Sequence, residues 1–180
     1  MFNFNQSKKF LAIVGCAFAG LLSFSGAQAL NPETVTAEVA FVAPITISTT
    51  TNLQYGALDV LMALGHTIVI SPGVGVFDSN GNIVGGIQGP AELSVTATVL
   101  QPITILVDGE TNAGGAYNLS LFTCDYDSGG ALPCSAALPL NTTSAAVATT
   151  DLFVGATLTG TGGAVAGTFD GSVDVTISYQ

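Results

Sequence analysis

The sequence predicts an all-β fold of short antiparallel strands, and three observations carry that prediction. Apolar and small polar residues alternate with a period of two in segment after segment, turn residues interrupt the runs at short intervals, and threonine fills many of the outward positions. A period of two puts successive side chains on opposite faces of a strand, and the branched Cβ of threonine suits a pleated surface. Many short strands separated by turns pack as a sandwich or a barrel.

Val35, Ala37, Val39 and Phe41 open the series, and Ile45 and Ile47 follow the break at Pro44. Ala57 to Leu64 is the one segment that could form a short helix. Ile68 and Ile70 come next, ended by Ser71–Pro72–Gly73. Asn80–Gly81, between Val76–Phe77 and Ile83–Val84, is the strongest two-residue hairpin signal in the chain. After Gly89–Pro90 comes the clearest run, in which Ala91, Leu93, Val95, Ala97 and Val99 face a core and Glu92, Ser94, Thr96 and Thr98 face water. Beyond Pro102, Ile103 and Ile105 alternate in the same way, as do Tyr117, Leu119 and Leu121. Residues 135–150, rich in Ala, Thr and Ser, read as a polar connection or a weak edge strand, and Gly162–Gly163 precedes the last run.

The first residues read as a secretory leader. Lys8 and Lys9 precede an apolar run from Phe10 to Leu22 that leads into Ala27, Gln28 and Ala29, the charged start, apolar middle and small-residue cleavage site of an export signal. The expected division is therefore a leader at 1–29 and a single domain at 30–180. Ile13–Val14–Gly15–Cys16 is the competing reading, a lipoprotein processing site, but only three apolar residues separate it from Lys9, where a leader needs about 7–15. The run is short for a bilayer span, so no membrane span is expected once the leader is removed.

The two lysines are the only Lys or Arg residues, and all twelve carboxylates lie between Glu33 and Asp174. Without cations the domain has nothing to neutralise phosphates, so nucleic acid is excluded as a partner. Anionic membrane surfaces are excluded for the same reason, and lysine chemistry is absent. The chain is 48% apolar and 8% charged, which is unlike a disordered segment. A domain of roughly 150 residues buries about 68–70% of its unfolded surface, enough for one independent core. Cys124 and Cys134 form an even pair in an oxidising compartment. Their disulfide would close a short loop and contribute about 2.5–3 kcal/mol in the chain-entropy account. A reactive or metal-binding thiol pair is the rival reading.

Residues that could carry catalysis are few. His66 is the only histidine, at the entry to a strand, and no serine sits in a nucleophile elbow. No glycine loop ends in Lys-Ser or Lys-Thr, and no His/Cys cluster has zinc spacing. Asp125/Asp127 and Asp108/Glu110 are carboxylate pairs of the kind glycoside hydrolysis uses, but they fall in glycine-rich turns, and the chain has no Trp for a sugar platform. Asp78, Ser79, Asn80 and Asn82 look superficially like a calcium loop, yet Ile83 stands where such a loop needs glycine. No enzyme activity, cofactor or metal is expected.

The last run is the most regular. From Gly167 to Gln180, residues Phe169, Val173, Val175, Ile177 and Tyr179 share one face. This segment resembles the closing strand of chaperone–usher pilus subunits, which has a penultimate tyrosine and a glycine fourteen residues from the end, matched by Tyr179 and Gly167. More widely, the chain resembles a family of secreted, fimbria-like bacterial domains of unknown function. That likeness runs through Ala43–Pro44–Ile45–Thr46–Ile47, Leu53–Gln54–Tyr55–Gly56, Thr67–Ile68–Val69–Ile70–Ser71–Pro72, Gly155–Ala156–Thr157–Leu158 and Ala166–Gly167–Thr168–Phe169. Cys124 and Cys134 lie late and close together, whereas the pilus-subunit disulfide ties early strands.

The resemblance implies an Ig-like antiparallel β-sandwich that lacks a strand and receives it from a neighbour. Val35, Ala37, Val39 and Phe41 would be the donor positions. Gly167, Phe169, Val173, Val175, Ile177 and Tyr179 would form the acceptor edge. The expected partners are copies of the chain or other filament subunits, with a periplasmic chaperone and an outer-membrane usher during export to the cell surface. A self-contained adhesin or binding module for a surface glycan or protein is the alternative.

Overall fold

The computed structural model describes residues 39, 41–111, 117–163, 167 and 170–180. Twelve strands fall in this order: β1 (Thr46–Thr51), β2 (Gln54–Leu58), β3 (Thr67–Ser71), β4 (Gly75–Asp78), β5 (Ile83–Gly89), β6 (Ala91–Thr96), β7 (Pro102–Thr111), β8 (Tyr117–Tyr126), β9 (Leu132–Pro133), β10 (Leu140–Thr143), β11 (Thr149–Gly160) and β12 (Ser172–Tyr179). The domain is all-β with antiparallel strand pairing, and no helix occurs among the described residues. Accordingly no described helix is long and apolar enough to cross a membrane.

The long strand β11 organises the main sheet. One of its edges takes β6 along Thr149–Val154 and then β3 along Ala156–Thr159, while the other edge takes β8. The sheet extends outward through β1 on β6, β4 on β3 and β9 on β8. A second sheet has the order β10-β7-β12, and β2 pairs with β5 as a separate ribbon. The two sheets share one apolar core, with Leu93, Val95, Leu152, Val154 and Phe122 from the first packed with Ile103, Ile105, Val107 and Leu140 from the second. A smaller cluster of Met62, Ile68 and Leu158 lies with Tyr55, Leu58 and Ile83 of the ribbon packed against it.

The alternation read from the sequence places most of the core, and it fails where the backbone leaves the left side of φ space. Leu93, Val95 and Ala97 are buried as expected, but Val99 is exposed, because β6 has ended and the chain turns at Leu100 with φ 55°. Leu121 is 73% exposed although Tyr117 and Leu119 of the same strand are half-buried. The cause is a bulge: the register with β11 slips between Gly155 and Thr157, and Leu121 takes φ 50°. One extra residue inverts the facing of everything after it, so Phe122, Cys124 and Tyr126 turn inward instead.

Ala57–Leu64, the one segment that could have been helical, is not: Ala57 and Leu58 finish β2 and the rest is irregular loop and turn. One further expectation is corrected. Asn80–Gly81 does not join a hairpin, since β4 pairs with β3 and β5 pairs with β2. The Asp78 carboxylate accounts for this. It accepts the backbone N–H groups of Asn80 (3.1 Å) and Ile83 (2.7 Å) and the side-chain amide of Asn82 (2.8 Å). The Ile83 N–H is thereby taken by a side chain and not by a strand carbonyl, and β5 is free to cross to β2. At that crossing a Cβ on Gly86 would meet the Ala57 nitrogen at 2.9 Å, so the two ribbon strands touch backbone to backbone.

Partial desolvation pushes the Asp78 carboxyl up, but these donors, together with the Asn82 backbone N–H, outweigh it and hold it below the usual carboxylate range. A carboxyl lowered in the folded state stabilises above its unfolded value, about 3.9. That contribution is lost as pH falls through the lower folded value. We therefore expect acid to loosen the ribbon junction below about pH 4, and Asp78→Asn to weaken it at neutral pH and remove the acid dependence. Hydrogen exchange at Ile83 between pH 3 and 7 reports this directly. Equal acid sensitivity in the variant would refute it.

Candidate strand-acceptor groove

The two flanks of the shared core differ. On one flank the sheets are sewn together at Cys134, whose N–H donates to Phe122 C=O of β8 (3.1 Å) and whose C=O accepts the Val107 N–H of β7 (2.7 Å). The Cys124–Cys134 disulfide locks this seam, and both cysteines are fully buried. On the other flank stand β1 and β12, each paired on one side only among the described residues. Their inward side chains, Ile45, Ile47 and Leu53 on one edge and Val173, Val175, Ile177 and Tyr179 on the other, pack on the core but remain half-buried.

Ladder parity shows which backbone groups face the gap. Antiparallel residues opposite one another alternate between hydrogen-bonded and non-bonded pairs. The Gln180 N–H bonds to Pro102 C=O, so Ser178 and Thr176 bond to β7 and the backbone groups of Val175, Ile177 and Tyr179 point outward. In the same way the Ala97 N–H bonds to Ala148 C=O. Residues 93 and 95 then serve β11 and residues 94 and 96 serve β1, which leaves the backbone groups of Ile45, Ile47 and Thr49 on the free edge. Among the described residues, both edges therefore present peptide groups with no ladder partner, and all of these but Thr49 belong to residues whose side chains pack on the core.

Tyr179 closes one end of the gap. Its hydroxyl accepts the Thr98 N–H (2.7 Å) and donates to Ala43 C=O (2.9 Å), while the Ala43 N–H donates to Thr98 Oγ1 (2.7 Å). Toward the other end the gap widens into a groove of about 1160 Å³, bounded by Thr49, Leu53, Tyr55, Val173 and Val175 and floored by Leu93 and Val154. Tyr55 donates to Ala156 C=O (2.8 Å). Burial, with the neighbouring Tyr117 and Glu110, pushes its phenol far up. Tyr117 is raised by burial and by Asp170 and Glu110. Both phenols stay protonated at neutral pH, and Tyr55 serves as a hydrogen-bond donor. Glu110 accepts the Leu119 N–H of β8 and thereby caps an edge donor at the wide end.

The residues expected to act are distributed as follows. Gly167, Val173 and Val175 line the groove, and Ile177 and Tyr179 continue the edge toward the closed end. Phe169, Val35 and Ala37 lie outside the described residues. Val39 and Phe41 are 74% and 92% exposed. Sequence reasoning missed Ala43 and Thr98 as partners of Tyr179, and it took Ile45 and Ile47 for ordinary core. Nothing in an alternating pattern says whether a strand is central or at an edge.

Of the carboxylates considered for chemistry, Asp108 and Glu110 lie within β7 and not in a glycine-rich turn. Asp125 accepts the Gly130 N–H and Asp127 the Thr150 hydroxyl. Among the described residues no group of three or more His, Cys, Asp or Glu could hold a metal ion. Asn82 points its amide at Asp78, an obligate acceptor, so its Oδ1 faces His66 Nδ1 at 2.9 Å and that nitrogen carries the proton. His66 thus braces the ribbon turn.

An all-β domain of several antiparallel sheets, with one flank sewn and the other open among the described residues, is the class these features define. The chain belongs to the family of a domain of unknown function, DUF4402, whose model matches residues 45–179, a span that begins on one free edge and ends on the other. No curated protein and no solved structure matches it.

Proposed function

We propose that this chain is an exported structural subunit of a fimbria-like surface filament, an Ig-like β-sandwich that takes a missing strand from its neighbour. The observation that supports this most is the open flank, where outward-facing peptide groups and half-buried apolar side chains on β1 and β12 border one groove. An added strand would satisfy both sets at once. Main-chain bonds supply attachment and alternate side chains supply specificity in recognition of this kind.

In this reading the donor is the segment around Val35, Ala37, Val39 and Phe41 of another copy, delivered after removal of the 1–29 leader. The Tyr179 clamp blocks one end, so the segment lies with Val35 nearest Ile177 and with Phe41, its largest side chain, in the wide end beside Leu53. The route is through the periplasm, with a chaperone and usher as transient partners, to the cell surface.

Val39→Asp or Phe41→Asp should abolish polymers and leave the monomer folded, since a charge entering an apolar groove is costly. The check is a detergent gel with and without boiling, beside far-ultraviolet dichroism. Wild type should run as a ladder that collapses only on boiling. If both variants still give the ladder, the donor assignment is wrong. If wild type runs as one band at every temperature, the chain is a self-contained binding module.

A further inference from the structure

We infer that joining of subunits at this groove is promoted by salt, because the partner is a second copy and the two copies meet with charges of one sign. The inference rests on the strand-acceptor reading above. Beyond Lys9 the chain has no Lys or Arg, and its twelve carboxylates all follow residue 32. The acceptor brings Asp59 and Asp170 in the groove wall. Asp174 stands on β12 directly opposite Asp108 of β7, and Glu92 lies on β6 opposite Thr51 of the free edge strand β1. The donor segment brings Glu33, two residues before Val35, and Glu38, between Ala37 and Val39. His66, the single side chain beyond Lys9 able to gain a positive charge, is turned to Asn82 in the ribbon.

The length scales decide the effect. The eight residues of β12 extend over about 27 Å at about 3.4 Å per residue. The screening length is about 30 Å at 0.01 M salt and about 8 Å at 0.15 M. In dilute buffer every carboxylate along the groove therefore repels both donor glutamates, whereas at physiological salt only immediate neighbours do. The apolar contacts and main-chain bonds that hold the strand are little screened. Oppositely charged partners behave the other way, since salt slows their encounter.

The test uses the full chain carrying Phe41→Asn, which cannot donate and so keeps its groove free, and a fluorescent peptide of residues 30–42 as the probe. Capture should rise about tenfold between about 0.01 M and 0.3 M sodium chloride. A peptide with Glu33→Gln and Glu38→Gln should bind faster in dilute buffer and lose most of the salt dependence, which separates screening from a general salting-out of apolar groups. Capture that is flat or falls with salt overturns the inference and leaves the groove reading standing. Absence of capture at every salt concentration overturns the groove reading itself, and the inference with it.

Discussion

Gly155→Ala is expected to destabilise the domain by about 3 kcal/mol or more, at the upper end of what overpacking costs. Gly155 lies in β11 at the point where one edge of that strand passes from β6 to β3. A Cβ there would stand 2.1 Å from Ile70 C=O and 2.8 Å from Pro72 Cδ. Neither neighbour can retreat cheaply. Ile70 is fully buried, and its strand is pinned between β11 and β4. Against a total stability of about 5–15 kcal/mol, the loss should lower the melting temperature by roughly 10 °C or more. Gly85→Ala is the control, because its Cβ would meet nothing within 4 Å. Calorimetry of both variants decides the matter: a Gly155→Ala melting point beside that of the control would mean that β3 does not approach β11 so closely.

Removing the disulfide should have a comparable effect. The Cys124→Ala, Cys134→Ala double variant loses the cross-link, about 2.5–3 kcal/mol in the chain-entropy account. It also leaves two small voids where fully buried sulfurs were packed. The damage should concentrate on the seam, because Cys134 is the residue through which β8 and β7 are joined. In the native protein, burial shields both sulfurs from reductant, so reduction must wait for the seam to open. Thiol trapping during a dithiothreitol time course should show reduction accelerating with urea. Complete reduction within minutes in native buffer, without loss of dichroism, would show that the seam is neither closed nor stabilising.

The positions where the reading of the sequence failed each follow a pattern rule that a particular contact overrides. At Leu121 and Val99 the partner is distant in the chain; at the Asn80–Gly81 turn it is the neighbouring Asp78 carboxylate. The bulge at Leu121 exists because β8 must keep register with the long strand β11 on both sides of Gly155. Val99 is exposed because Ser144, far along the chain, accepts the Gln101 N–H at 2.7 Å and donates to Thr98 C=O at 2.6 Å, turning the backbone out of β6. Asn80–Gly81 is still a turn, but the Asp78 side chain takes the bond that would have made it a hairpin. In contrast, Ile68, Ile70, Ile103 and Ile105 are all fully buried, because in those strands nothing interrupts the period of two.

The amino-acid order alone was sufficient for the strand-rich class, the acidity without counter-cations, the cysteine pair and most of the inward-facing residues. Those properties depend on composition and on side-chain alternation, which are local. Which strands are edges, which flank is sewn and which is open, and the bond from Tyr179 to Ala43 were decided only in three dimensions. A strand's pattern records that one face is apolar. Whether its peptide groups find a partner depends on what the rest of the chain places beside it.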